Sequence, residues 1–119
     1  MRLIKSVGFA INGLRLCWKE PNFRIHLLVS AVVLVLGYWL SISAQEWGLV
    51  LLCMGLVLSV EMVNTAIEHL CNLLHPGQHP VIKLVKDVSA AAVLLAAFIS
   101  VCCGAIIFLP KLLFIFQNL

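Results

Sequence analysis

Glu61, Asn64 and Glu68 lie in the stretch VEMVNTAIEHLCN, Val60 to Asn72, which closes a run from Trp47 that carries no charge. At about 100° per residue on a helix, these three side chains fall within roughly 60° of one another over two turns. One face therefore carries two carboxylates and an amide. Near the bilayer centre, a carboxylate facing lipid costs roughly 2.5 to 3.5 kcal/mol, and less near the interface. The face must look toward protein, water or a cation. Two or three carboxylates with few competing ligands suit Mg²⁺, which keeps its waters and takes phosphate as a further partner. Glu20, Arg24, His79, Lys86 and Asp87 are expected at the same depth, and Lys86, with Arg2 and Arg15, can meet phosphate charge. Together they read as a phosphate and metal site at a membrane surface. There is no GxxxxGK[ST] loop, so a nucleotide here is not held by a P-loop.

Taken singly, each element also has a plainer reading. A glutamate near a helix end is often an interfacial residue paired with a lysine, and Lys86-Asp87 can be an ordinary helix start. His75 and His79 can be solvated loop residues. The small residues that follow Asp87 read as helix packing. What distinguishes the set is that its members gather at one depth.

The elements that must position these residues follow from hydropathy. Of 119 residues, 63% are hydrophobic and 11% charged, with mean hydropathy +1.12. A soluble domain of this length cannot hide so much apolar surface, so lipid is the solvent. The expected fold is an all-α integral membrane domain covering 1–119: a surface helix at 2–19 and spans at about 25–42, 47–72 and 86–110. In the first helix Ile4, Val7, Ile11, Leu14 and Trp18 recur at steps of three and four, opposite Lys5, Asn12, Arg15 and Lys19. That pattern predicts an amphipathic helix lying in the membrane surface. Pro21 and Asn22 break it, HPGQHP (His75 to Pro80) is a loop, and the last span is expected to end at Pro110. Arg15 and Asn12 interrupt any signal-peptide core, so the segment is read as retained.

Seven of the eight basic residues, all but Lys111, lie before the first span or between the second and third. The amino terminus and the candidate site are therefore expected in the cytoplasm, with the carboxyl terminus outside. The net charge of +3 is better read through this distribution than as a sign of nucleic-acid binding, and no nucleic-acid partner is expected. Five cysteines without CxxC spacing argue against a disulfide framework or zinc site, and no redox chemistry is expected.

RLIKSVGFAINGLR, EPNFRIHL, EMVNTAIE and KDVSAAAVLLAA, in this order and spacing, resemble the small prokaryotic diacylglycerol kinase family, which includes the undecaprenol kinases of Gram-positive bacteria. The resemblance runs from Arg2 to about Pro110. It implies a homotrimer of three-span protomers in the bacterial inner membrane, which phosphorylates a lipid hydroxyl with MgATP at sites shared between protomers. It further implies Glu61 as the general base, Glu20 and Glu68 as metal ligands, and Asn64 as the residue ordering that centre. Nucleotide contacts would fall to Arg2, Phe9, Glu20, Glu68, Gly77, Gln78, His79, Lys86 and Asp87. Lipid contacts would fall to Arg15, Arg24, Glu61 and Ala90. The sequence departs from the family at Asn72, where many members have aspartate, and is one residue shorter between Arg15 and Glu20 than the best-known enterobacterial member. NFRIHL resembles the undecaprenol kinase branch, a likeness that implies undecaprenol slightly ahead of diacylglycerol as acceptor.

Two other readings compete. A small oligomeric ion channel or proton-coupled carrier would explain inward glutamates, yet Val50 to Val60 offers only Cys53 and Ser59 to continue a polar path. A non-catalytic descendant of the kinases is the third.

Overall fold

In the computed structural model, which describes residues 1–119, the chain forms four helices: α1 (Arg2–Cys17), α2 (Pro21–Trp39), α3 (Ala44–Leu74) and α4 (Pro80–Gln117). The last three are long and apolar enough to cross a membrane. α3 lies in the middle, packing on α4 along most of its length and on α2 over a shorter contact. The result is a thin layer, 58 × 42 × 21 Å.

The accessible surface is 8919 Å², against about 6,400 Å² for a compact soluble monomer of this mass. Only 14 of the 119 residues are buried, so lipid or further protein must cover the remaining apolar faces. The apolar core is small: Ile42, Val50, Ile107 and Phe108, with Trp47 and Met54 among the residues packed against it.

The turn between α2 and α3 shows how the sequence fixes this packing. Ile42 N–H donates to the Gly37 carbonyl at 3.2 Å and Ser41 N–H to the Tyr38 carbonyl at 3.2 Å, the paired bonds of a Schellman end. Ser41 takes φ 52°, the left-handed region where a side chain is strained. A Cβ on Gly37 would stand 2.9 Å from the Trp47 ring and 3.1 Å from Ile42, so only glycine allows α2 to end this close to α3. Ser41→Gly is expected to stabilise the fold by about 0.5 to 1 kcal/mol, the left-handed strain less glycine's entropy cost. Thermal unfolding in detergent checks this; an unchanged or lower melting temperature refutes it.

Ser43 then caps α3. Its hydroxyl accepts from Glu46 N–H at 3.1 Å, while the Glu46 carboxylate accepts from Ser43 N–H at 2.9 Å, a capping box. The second Glu46 oxygen accepts from Lys111 of α4 at 2.8 Å. Lys111, the one basic residue expected outside, is thus matched with the acid of the turn between α2 and α3 and binds the start of α3 to the last third of α4.

The helices differ from the expected segments. α1 stops at Cys17, α2 already begins at Pro21, and α4 begins at Pro80. Pro21 and Pro80 each occupy the first helical turn, where a missing N–H costs nothing, so both prolines start a helix as well as ending what precedes. α4 also runs through Pro110 to Gln117 instead of ending there. One lost hydrogen bond does not outweigh the apolar turns on either side.

Candidate active site

Three of the four buried polar or charged residues, Glu61, Asn64 and Thr65, belong to one turn of α3, and the fourth, Ser89, faces them from α4. Asn64 links the two helices. Its side-chain carbonyl accepts from the Ser89 hydroxyl at 2.6 Å, and its amide donates to Glu68 Oε1 at 3.3 Å. Both ends of the amide are used, which fixes its orientation and that of one Glu68 oxygen.

Glu61 is 3% exposed and forms no hydrogen bond within the chain; its nearest charged neighbour is His26 of α2, with Nε2 3.6 Å from Oε2. Glu20 is the N-cap residue of α2, yet its carboxylate caps nothing. It reaches instead toward α3, where His69 Nε2 lies 3.6 Å from its Oε1, one residue beyond Glu68. Cys17, at the end of α1 outside the spans, reports the same convergence. Burial pushes its thiol pKa up, and the charges of Glu20 and Glu61 push it further. The end of α1, the start of α2 and the last turns of α3 thus bring three carboxylates into one region.

No three His, Cys, Asp or Glu side chains of one chain converge tightly enough to form a full metal cage. Mg²⁺ asks for less than a cage. It needs only one or two carboxylates beside phosphate and water, and Glu20 is uncapped while Glu68 has one oxygen engaged by Asn64.

A second polar region lies at the loop. Gly77, Gln78, His79 and Lys86 line one surface hollow of about 490 Å³, joined by Lys83. His79 Nδ1 accepts from Val81 N–H at 3.1 Å, capping α4, and the His75 and His79 rings meet edge to face at 5.1 Å. Lys83 is neutralised by Asp87 at 2.6 Å. Lys86 donates to the neutral side chain of Asn72 at 2.6 Å, which orients its ammonium without cancelling the charge. Asp87 is therefore engaged with Lys83, while Lys86 has no carboxylate in ion-pair range.

Other expected contacts are not drawn in. Arg2, Phe9, Arg15, Arg24 and Ala90 are exposed, and no side chain of the glutamate cluster bonds to them. His26, Ser89, Thr65, His69 and Lys83 were not among the expected site residues. Ser89 was read with the small packing residues that follow Asp87, and its hydroxyl instead holds Asn64. The signal for His26 was a titratable residue just inside the first apolar helix.

The sequence profile described as prokaryotic diacylglycerol kinase matches residues 8–108. The undecaprenol kinase of Bacillus subtilis (strain 168) is 42% identical over 115 residues, covering 93% of this chain and 91% of the relative. The diacylglycerol kinase of Escherichia coli (strain K12) is 33% identical over 101 residues, covering 84% and 83%. That of Helicobacter pylori (strain ATCC 700392 / 26695) is 33% identical over 95 residues, covering 79% and 74%.

Proposed function

The chain belongs to the prokaryotic diacylglycerol kinase family, and on that premise we propose that it transfers the γ-phosphate of MgATP to the hydroxyl of undecaprenol in preference to diacylglycerol. The observation that carries the reading is Glu61: a carboxylate buried among apolar helices, with no hydrogen bond inside the protomer. Burying such a group is costly, and groups buried at such a cost cluster at functional sites. The greater identity to the undecaprenol kinase than to the diacylglycerol kinases supports the choice of acceptor.

Glu61 takes the proton of the lipid hydroxyl as that oxygen attacks the γ-phosphorus; the bond from phosphorus to the leaving ADP oxygen breaks, and the proton remains on the carboxyl group. Glu20 and Glu68 hold Mg²⁺, which when bound neutralises charge on the phosphates. Asn64 and Ser89 fix Glu68. Lys86, oriented by Asn72, meets the nucleotide phosphates, with Gly77, Gln78 and His79 beside it in the same hollow. Glu61 lies deeper along α3 than Glu68, which matches a lipid hydroxyl arriving from the bilayer and a nucleotide arriving from water.

The active site faces the cytoplasm and the protein works as a homotrimer. Two observations support the trimer: the large uncovered surface, and the exposure of Arg2, Phe9, Arg15 and Arg24, none of which pairs with a glutamate of its own chain. α1, with Leu3, Ile4, Val7, Ile11 and Leu14 uncovered, lies on the membrane surface. The channel alternative has no path beyond Glu61. The next buried residues of α3 toward the outer end are Val57 and Val50, and Glu46 is closed by Lys111.

Incubating the purified protein with labelled ATP and either undecaprenol or diacylglycerol tests the proposal. Label is expected on both lipids, faster on undecaprenol. Labelling of neither refutes the lipid-kinase mechanism, and faster labelling of diacylglycerol reverses the acceptor.

A further inference from the structure

His26 belongs to none of the residues assigned to the reaction, yet it makes the one ion-pair-range contact of Glu61 within the chain. Its Nε2 lies 3.6 Å from Oε2, longer than a hydrogen bond and within the range of an ion pair. The contact joins two different helices, α2 and α3, so it depends on the fold and not on local sequence. Asn64, one turn along on the same face of α3, accepts from Ser89 and donates to Glu68 and makes no bond to Glu61.

The surroundings of the imidazole reinforce this assignment. His26 also lines an apolar cleft of about 320 Å³ between α2, α3 and α4. Along α2 it stands near the beginning of the lining residues, and Val57, the lining residue of α3 closest to Glu61, stands at the same end. The ring thus lies between the cleft and the carboxylate. An apolar wall covers one side of the ring, which strengthens its polar contact on the other. The His26 side chain is 23% exposed and that of Glu61 only 4%, so the imidazole is also the better hydrated partner.

We propose that His26 is the positioning residue for the catalytic base: its Nε2, 3.6 Å from Oε2 of Glu61, closes to hydrogen-bond distance when substrate is bound and holds that oxygen, leaving Oε1 free to face the acceptor hydroxyl. The assignment rests on the lipid-kinase reading and adds a residue to it. A carboxylate with both oxygens free rotates about its last bond and presents the base in several directions. One oxygen held from a neighbouring helix selects a single direction.

Two substitutions separate the donor from the ring. His26→Gln keeps an N–H donor at about the reach of Nε2 and loses the ring; His26→Phe keeps the ring and loses the donor. With saturating lipid, His26→Phe is expected to lower kcat at least about tenfold, what losing a hydrogen bond to a charged group costs. KM for ATP should stay within about twofold, because the nucleotide hollow is built from other residues. His26→Gln is expected to recover most of the loss. Parental kcat in His26→Phe, or equal losses in both variants, overturns the assignment, as does loss in His26→Gln alone, which would make the ring a packing group. If His26→Phe does not yield helical protein by circular dichroism, His26→Leu takes its place with the same expected outcome. Glu61→Gln is run beside them. An active parent with an inactive Glu61→Gln and a fully active His26→Phe refutes only the role of His26, whereas an inactive parent refutes the kinase reading itself.

Discussion

Glu61→Gln is expected to lower kcat by roughly 10²- to 10⁴-fold, the span that loss of a positioned general base produces, without loss of the fold. The amide has the size of the carboxyl group and cannot take the proton of the acceptor hydroxyl. Stability is expected to move the other way. Glu61 is 3% exposed and makes no hydrogen bond within the chain, so the carboxylate is a buried charge whose desolvation is only partly offset by His26. A neutral amide removes that cost, and thermal unfolding in detergent should show a melting temperature equal to or above that of the parent. Lower activity joined to unchanged or higher stability is the signature of a group kept for chemistry. Parental kcat in Glu61→Gln removes Glu61 as the base. A large fall in melting temperature makes it a structural residue.

The helical layout was legible because hydropathy and proline position act locally. Three apolar stretches appear as helices where the pattern puts them, while the break expected at Pro21 and Asn22 falls at Trp18 to Glu20 and the expected loop of His75 to Pro80 ends at His79. The helix ends were less legible. Pro80 starts α4 and Pro110 lies inside it, and whether a proline starts or interrupts a helix depends on the packing of its neighbours, which no local pattern reports. The site divides in the same way. Glu61, Asn64 and Glu68 share one helix, so their common face follows from a period of 3.6 residues. Ser89 and His26 reach that face from α4 and α2, and their registers against α3 are set by contacts such as the close approach at Gly37 and Trp47. The pairing of Lys83 with Asp87 is an i, i+4 contact and could have been read from sequence; Lys86 with Asn72 spans two helices and could not.

Glu68→Gln is expected to cost roughly 10²-fold or more in activity at limiting Mg²⁺, at or above the top of the roughly 10- to 100-fold that loss of an outer partner of a metal causes, and to regain part of it as Mg²⁺ is raised. The substitution is selective because of what Glu68 already does. Its Oε1 accepts from the Asn64 amide at 3.3 Å, and glutamine can accept the same bond through its own carbonyl, so the chain from Ser89 through Asn64 survives while the charge is lost. Glu68→Ala would break both and is expected to lower stability as well. Glu20 offers the independent partner: its carboxylate caps no helix and stands near His69, beside Glu68. If Glu20 and Glu68 share one ion, Glu20→Gln with Glu68→Gln should cost much less than the product of the single losses, because the first substitution already empties the site. If the losses multiply, the two carboxylates act on different partners. A Mg²⁺ dependence unchanged in both single variants excludes them as ligands and leaves Glu68 as a support for Asn64 alone.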